Sequence, residues 1–473
     1  MVKATSEEDQ VSLAKAREAG QDHIFAGWED LSPEDQRRLI AQVESLDFQL
    51  VKRLVQEHLA ASRKPAEESV LRPAPTVRLA DLANRPEDLA LLKTLGEYSL
   101  RQGEVAIVTA AGSGPLPEPL ALIPVGPVTG KSLLQLHAEK IHALQRRYRT
   151  SFRWLIFANP EDRSRIAAYL KAKGWFGLKC PDIAVLAQDL LPVFDRRGKV
   201  LLCEPGRIAM SPNGHGGILL RLLEPESLKV FADGGIRYLF YFQVDNPLVK
   251  IADPVFLGLH IREQAEVSTK AVRRADAGEA VGVICLANGA LGVVEHTEIS
   301  EEDRRRALPD GSLALSAGNT GIHIFSVDFL KEMAASRVQL PYHAVRRATP
   351  CIDRRGRQVR PSEPNSILFK TFIFDAIRKA ERTTILEVER EEEFSPIRNA
   401  GGAHSPVTAQ RDLSRMYANW LRAACPDCPP GAGTETGPAV EVSPLYALDA
   451  DELREKIGLP LPANGNILLG GRS

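Results

Sequence analysis

Residues 241–261 read YFQVDNPLVKIADPVFLGLHI, and this stretch decides the fold. The apolar run from Tyr238 to Phe242 predicts a buried strand, and Pro247, which carries no N–H, ends its pairing. Asp245 then stands just beyond the last strand residue. In an α/β sheet that rim is where ligands bind. A carboxylate placed there suits a hard cation such as Mg²⁺, which takes oxygen ligands and shares phosphate oxygens. An aspartate also caps strand-to-turn junctions, so the three residues Val244-Asp245-Asn246 alone leave both roles open.

Working outward, Val105 to Val108 predicts a second buried strand, followed by the small-residue turn Thr109-Ala110-Ala111-Gly112-Ser113-Gly114. A helix is expected from about Ser132, with Leu133, Leu136, Ile141 and Leu144 on one side. Further strands are expected at Trp154 to Phe157, Ile183 to Leu186, Val200 to Cys203, Val281 to Ile284 and Leu291 to Glu295. Their alternation with helices predicts an α/β fold with a mostly parallel, twisted sheet covered on both faces. A strand, a glycine-rich turn and a helix let backbone N–H groups approach a phosphate or base. Ser211-Pro212-Asn213-Gly214-His215-Gly216-Gly217 is a second such stretch, either a ligand loop with one imidazole or a surface turn. Gly126-Pro127-Val128-Thr129-Gly130-Lys131-Ser132 imitates a P-loop. It has three residues between its glycines where that motif needs four, and Pro127 removes a donor.

Around this centre, residues 1–64 read as helices. Ser32-Pro33-Glu34-Asp35 is a helix start, and Leu39, Ile40, Val43, Leu46, Leu50, Leu54 and Val55 make one apolar face. Residues 65–98 read as a looser surface connection. Beyond Ala400, a helix is expected from Thr408 to Ala424, a strand at Val440 to Tyr446 and a short helix at Asp449 to Ile457. Cys425-Pro426-Asp427-Cys428 lacks the two further ligands of a zinc site and the preceding strand of a redox motif.

With 473 residues, 44% hydrophobic and 26% charged, the composition is that of an ordinary globular protein of more than one domain. Sixty basic residues against sixty-one acidic ones give no electrostatic reason for nucleic acid or a membrane surface. No apolar run reaches the ~20 residues of a membrane span. The polar start MVKATSEEDQ is not a signal peptide, and six scattered cysteines fit a reducing cytoplasm.

Taken together, the motifs resemble the UDP-sugar pyrophosphorylases, closest to the UDP-N-acetylhexosamine pyrophosphorylases and the UTP–glucose-1-phosphate uridylyltransferases. The resemblance runs from about Ala19 to Leu459. It is carried by Pro212 to Gly217, Val244-Asp245-Asn246 with Leu248 to Pro254, Val281-Gly282-Val283, and Val293-Val294-Glu295 with Glu298-Ile299-Ser300. Ala317-Gly318-Asn319 with His323, Phe372 to Asp375, and Glu393-Phe394-Ser395-Pro396 with Asn399-Ala400 complete the set. It implies a nucleotidyltransferase-type, doubly wound mixed sheet, Rossmann-like and GT-A-like. The chain then divides into an N-terminal helical segment (1–95), a nucleotide-sugar-binding catalytic-type domain (96–400) and a small C-terminal lobe (401–473). The implied reaction joins UTP to a sugar 1-phosphate such as GlcNAc-1-phosphate or glucose-1-phosphate, with Mg²⁺ and no covalent intermediate, in the cytoplasm and with assembly state undetermined. By the same resemblance Asp245 holds the metal and acts in catalysis with Arg398. Gly112, Gly114, Gln188, Pro212, His215 and Gly216 line the nucleotide. Gly282, Glu295, Asn319, Phe372 and Phe374 line the sugar, although Phe374 also suits core packing.

One half of the pattern is altered. The family signature runs roughly A-G-G-x-G-T-R-L-G, then P-K-G. Here Ala110 to Ala121 is about three residues shorter, has no counterpart of the arginine, and has Leu120 in place of the lysine. Pro115, Pro117 and Pro119 stiffen the loop. Arg398 replaces the lysine of F-S-P-x-K-N-A, and Lys370 replaces the glutamate of K-x-E-x-F-x-F-D. An arginine in a comparable role is worth ~10³–10⁵ in rate. Two readings follow: a uridylyltransferase with a rebuilt phosphate loop, in which Lys131, Lys250 or Lys370 compensates, or an inactive protein that binds a UDP-sugar or UTP as sensor or scaffold.

Overall fold

The computed structural model describes residues 7–61, 70–112, 117–353, 356–425, 431–457 and 465–470. The chain forms two compact units. One comprises Val70–Ala187, Leu220–Val338 and Ala376–Ser473, the other Met1–Ser69, Gln188–Leu219 and Gln339–Asp375. These units are not the three consecutive segments read from the sequence: each is assembled from three separated stretches.

The larger unit is built on an eleven-stranded mixed sheet. From one edge, Ile183–Ala187, Trp154–Ala158, Val105–Ala111 and Tyr238–Gln243 run parallel. Every residue of Trp154–Ala158 and Val105–Ala111 is buried, the continuous apolar pattern of strands covered on both faces. Ala317–Ser326 then pairs antiparallel with both Tyr238–Gln243 and Val267–Arg273, which reverses the sheet's direction and makes it mixed. Beyond it Val267–Arg273 and Thr383–Val388 run parallel. Val283–Ala287 branches from Ala317–Ser326 and carries Ala290–Val294.

Residues 86–101, expected as part of a surface connection, form the helix Pro86–Arg101, with Leu92 and Leu100 fully buried. Pro86 occupies its first turn, a position proline favours. A Cβ on Gly96 would lie 1.9 Å from the Pro254 carbonyl oxygen, and one on Gly258 only 1.8 Å from that of Leu92. These two glycines let Pro86–Arg101 and Pro254–Arg262 touch backbone to backbone. The second helix is capped by Asp253, whose Oδ1 accepts from Val255 N at 3.0 Å, and Pro254 follows. In the C-terminal part, Ser405 and Thr408 form a capping box on the helix Pro406–Ala424. Val440–Val442 pairs parallel with Ile467–Leu469.

In the smaller unit, Ser32 Oγ accepts from Asp35 N at 3.1 Å and caps the helix Pro33–Ser45. Leu39, Ile40, Val43, Val51 and Leu54 pack with Phe194, Val200, Ile208, Ile367 and Phe369. Ser366–Lys370 lies between His343–Arg347 and Phe194–Asp195. The strand expected at Val200 to Cys203 is Leu202–Glu204, half of a short hairpin.

Candidate functional site

Part of the predicted set, Gly112, Asp245, Gly282, Glu295 and Asn319, belongs to the larger unit. Gln243 pairs with Ala110, so Asp245 and Gly112 lie at equal steps beyond the paired region. Tyr241 pairs with His323, the last pair of the antiparallel ladder before the turn that carries Asp245. Gln243 packs on Gly321, as the same register requires. Asn319 in turn donates its N–H to the Gly282 carbonyl at 2.8 Å, and a Cβ on Gly282 would lie 3.4 Å from Glu295 Oε1. Gly112 and Asp245 lie just past their strands, Gly282 just before Val283–Ala287 and Glu295 just after Ala290–Val294, while Asn319 lies within Ala317–Ser326.

Asp245 is 8% exposed, and burial pushes its carboxyl up to about 6, against the opposing pull of the Arg398 charge. Ile397 N donates to the Asp245 carbonyl at 3.0 Å. Arg398 Nη1 donates to the Ala280 carbonyl at 2.7 Å, and the backbone N–H of Arg398 to that of His404 at 2.7 Å. The structure therefore brings the two predicted catalytic residues, Asp245 and Arg398, into one electrostatic neighbourhood.

What holds them there was not found from the sequence. Asn246 Nδ2 donates to the Glu393 carbonyl at 2.7 Å, while its Oδ1 accepts from Ser395 N at 3.1 Å. Lys270, fully buried, reaches Asp253 Oδ2 at 2.6 Å and Glu393 Oε2 at 2.5 Å. Lys140 Nζ donates to the carbonyls of Pro247 at 2.6 Å and Val249 at 2.9 Å. Burial pulls its ammonium down to about 7, with Glu393 opposing and Lys250 reinforcing that shift. The available signal was a lysine inside the strand pattern Val267-Ser-Thr-Lys270-Ala-Val, which period-two reading assigns to a solvent face.

Of the glycine-rich turn, Gly112 ends the strand, with nothing within 4 Å of a Cβ built there. Gly114, with Ser113, Pro115 and Leu116, lies outside the described residues. The P-loop imitation is filled from within. Glu441 Oε2 accepts from Val128 N and Thr129 N, both at 2.8 Å, and Oε1 from Thr129 Oγ1 at 2.6 Å. A carboxylate of the same chain sits where backbone donors would hold a phosphate.

In the smaller unit, Pro212 pairs with Leu190, and Gln188 is buried. The glycines of the second stretch are demanded by the chain itself. A Cβ on Gly214 would lie 2.3 Å from the Thr371 carbonyl oxygen, and one on Gly216 2.6 Å from the Thr371 carbonyl carbon. The His215 ring lies 5.2 Å from Phe372 and 5.5 Å from Phe374, which stack on each other at 5.0 Å. His215 Nδ1 faces the Ile373 N–H at 3.0 Å, so it is the acceptor and the proton resides on Nε2. Burial, then the charges of Lys370 and His343, hold this imidazole well below its usual range, consistent with that neutral form.

Among the described residues no group of three or more His, Cys, Asp or Glu is placed to hold a metal alone. A lone buried carboxylate fits Mg²⁺ only where substrate phosphates complete the shell. No helix among them is long and apolar enough to cross a membrane.

The mixed sheet of the larger unit is that of the UDP-sugar pyrophosphorylases, a class of nucleotidyltransferase. The solved uridine diphosphate N-acetylglucosamine pyrophosphorylase of Trypanosoma brucei shares that fold, with a TM-score of 0.80 at 23% identity over 96% of this chain and 95% of that one. The UDP-N-acetylglucosamine pyrophosphorylase of Saccharomyces cerevisiae is 32% identical over 473 aligned positions, covering 95% of this chain and 98% of that protein. The UDP-N-acetylhexosamine pyrophosphorylase-like protein 1 of Xenopus tropicalis is 32% identical over 87% of this chain and 84% of its own length. The UDPGP family, UTP–glucose-1-phosphate uridylyltransferase, matches residues 113–407, and the chain belongs to it.

Proposed function

We propose that this protein transfers a uridylyl group from UTP to an N-acetylhexosamine 1-phosphate, releasing pyrophosphate and forming a UDP-sugar. The single observation that carries the reading is that Gly112 and Asp245 each lie two residues beyond the paired Ala110 and Gln243, at the same end of neighbouring parallel strands. The hexosamine preference is supported by the end-to-end similarity to the yeast relative. An oxygen of the sugar phosphate attacks the α-phosphorus in line as the bond to pyrophosphate breaks, so the protein supplies position and charge.

In this reading Asp245 would hold Mg²⁺, which when bound neutralises phosphate charge. Arg398 adds a fixed positive charge beside that carboxylate. Asn319, Glu295 and the Gly282 backbone orient the sugar, and the Gly112 backbone approaches the nucleotide. In the smaller unit, Gln188, Pro212, His215 and Gly216 are assigned to the uridine, and Phe372 with Phe374 to a pocket wall. The neutral His215 serves as an Nε2–H donor. A cytoplasmic setting is supported by the free cysteines Cys180, Cys203, Cys285, Cys351 and Cys425. No observation favours the binding-only alternative.

The test is a comparison of sugar phosphates under Mg²⁺ and UTP. GlcNAc-1-phosphate is expected to give the higher kcat/KM; a clear preference for glucose-1-phosphate overturns the hexosamine assignment.

A further inference from the structure

We propose that His137 and Lys140 are positioning residues for uridylyl transfer: from one helix they grip the backbone on both sides of Asp245 and so set where its carboxylate stands. The inference rests on the uridylyl-transfer reading and lies wholly within the larger unit.

Both side chains belong to the helix Leu133–Tyr148, three residues apart and therefore on one face. His137 Nε2 lies 3.0 Å from the Val244 carbonyl, which can only accept, so the ring donates from Nε2. Lys140 Nζ donates to the carbonyls of Pro247 and Val249. Among the described residues, these two side chains are the donors that reach all three carbonyls. Val244 N is fixed on the Ala110 carbonyl at 3.0 Å, and the Asp245 carbonyl accepts from Ile397 N at 3.0 Å. The backbone is thus held at Val244, Asp245, Pro247 and Val249, by a helix and by the segment that bears Arg398. The carboxylate keeps only its own side-chain torsions.

The helix is a firm mount. Ser132 Oγ accepts from Gln135 N at 3.1 Å and caps its start, and Leu133, Leu134, Leu136, Ile141 and Leu144 are buried in the main core. The His137 ring meets Phe242, on the strand that leads to Asp245, edge-on at 5.0 Å between centroids.

Neither residue is what packing alone would place there. His137 is fully buried, and its Nδ1 has no partner among the described residues. Lys140, also buried, hydrogen-bonds carbonyls and no carboxylate among them. An orphaned ring nitrogen and a buried ammonium both cost stability that apolar side chains of similar size would not. What they provide and leucine or methionine could not is geometry. A misplacement of ~1 Å at a reacting centre costs about 10²-fold in rate.

The test uses the full chain as wild type, His137→Leu, His137→Gln, Lys140→Met and Asp245→Asn, with His137→Leu and Lys140→Met each also combined with Asp245→Asn. Each is read by steady-state kinetics, thermal melting and calorimetric titration of UTP with and without Mg²⁺. His137→Leu and Lys140→Met are expected to lower kcat by about tenfold or more while KM for the sugar 1-phosphate stays within about threefold. Both should also lose most of the gain in UTP affinity that Mg²⁺ brings to wild type. His137→Gln, whose amide can donate in place of Nε2, should restore most of both. Neither change should lower kcat further in Asp245→Asn, because both act through that carboxylate. Should Lys140→Met not fold, Lys140→Gln, a donor one bond shorter, is read in its place. An unchanged kcat and Mg²⁺ gain in the folded variants overturns the proposal, as does an equal further loss in the Asp245→Asn background. Wild-type turnover that ignores both residues removes the positioning role and leaves the function. A Mg²⁺ gain that depends on both residues, without turnover, does the reverse.

Discussion

Asn246 and Glu393 are joined by a hydrogen bond from the Asn246 side-chain Nδ2 to the Glu393 carbonyl, 2.7 Å long and buried. The other end of the same carboxamide accepts from Ser395 N at 3.1 Å and Leu248 N at 3.2 Å. One side chain thereby fixes the turn that bears Asp245 to the segment that bears Arg398. Asn246→Asp keeps the acceptor and sets a second oxygen against the Glu393 carbonyl. A loss of about 1–3 kcal/mol in urea unfolding is expected, the cost of an unsatisfied buried polar group. Unfolding free energy equal to wild type would show that the carboxamide is replaceable there.

Lys270 is the second tie between those segments. Lys270→Met leaves Asp253 and Glu393 without the buried ammonium between them, and a destabilisation of about 3–5 kcal/mol is expected. The pH dependence follows from two opposed shifts. Burial raises Asp253, but the charges of Lys270 and Lys250 outweigh it and hold it below 3.8. Burial lowers Lys270, but Asp253 and Glu393 outweigh it and hold it above 10.5. Stability from the depressed carboxyl is present above its unfolded value and lost as pH falls through the folded one. Stability from the raised ammonium is present below its unfolded value and lost as pH rises through the folded one. The gap between wild type and Lys270→Met should be widest between about pH 5 and 9 and close in acid. A gap independent of pH would mean that shape, not charge, is what the lysine provides.

Glu441 caps the 126–132 turn with three hydrogen bonds. Glu441→Ala leaves the N–H groups of Val128 and Thr129 and the Thr129 hydroxyl without their acceptor. A cost of about 2–4 kcal/mol in chemical unfolding is expected, from hydrogen bonds to a charged group. If phosphate or sulfate then binds the vacated turn and restores melting temperature, the internal carboxylate is doing an anion's work. A melting curve equal to wild type without added anion would rule out the capping role.

Arg398 stands where the family pattern has lysine, and it anchors itself on the Ala280 carbonyl. Arg398→Lys retains the charge and is expected to hold kcat within about threefold or raise it, whereas Arg398→Met is expected to lower kcat by about 10²-fold or more. Equal losses in both variants would mean that the forked guanidinium geometry, not its charge, is required.

The fold was legible wherever local pattern coincides with tertiary role. Tyr238 to Phe242 with Pro247 declare a strand and its end, and Ser32-Pro33-Glu34-Asp35 a helix start, each within a few residues. The helix Pro86–Arg101 was missed although Leu89, Leu92, Leu95 and Leu100 recur at helical spacing, because the prolines at 73, 75 and 86 dominated the reading of that stretch. Lys270 was hidden because the partner that makes its burial tolerable is Glu393, 123 residues later. The glycines at 214 and 216 were read as a ligand loop or a surface turn, whereas their close neighbour is the Thr371 backbone, which no local spacing reports. The smaller unit, drawn from three distant stretches, is a product of such contacts throughout.

The most direct test of the central claim is pyrophosphate release from UTP and GlcNAc-1-phosphate with Mg²⁺, by wild type and Asp245→Asn side by side. Wild type should release pyrophosphate in step with UDP-sugar, and Asp245→Asn should fold as well or better yet turn over about 10²-fold slower or less. Equal rates in the two proteins, or no pyrophosphate above background from wild type while UDP-GlcNAc binds, would contradict it.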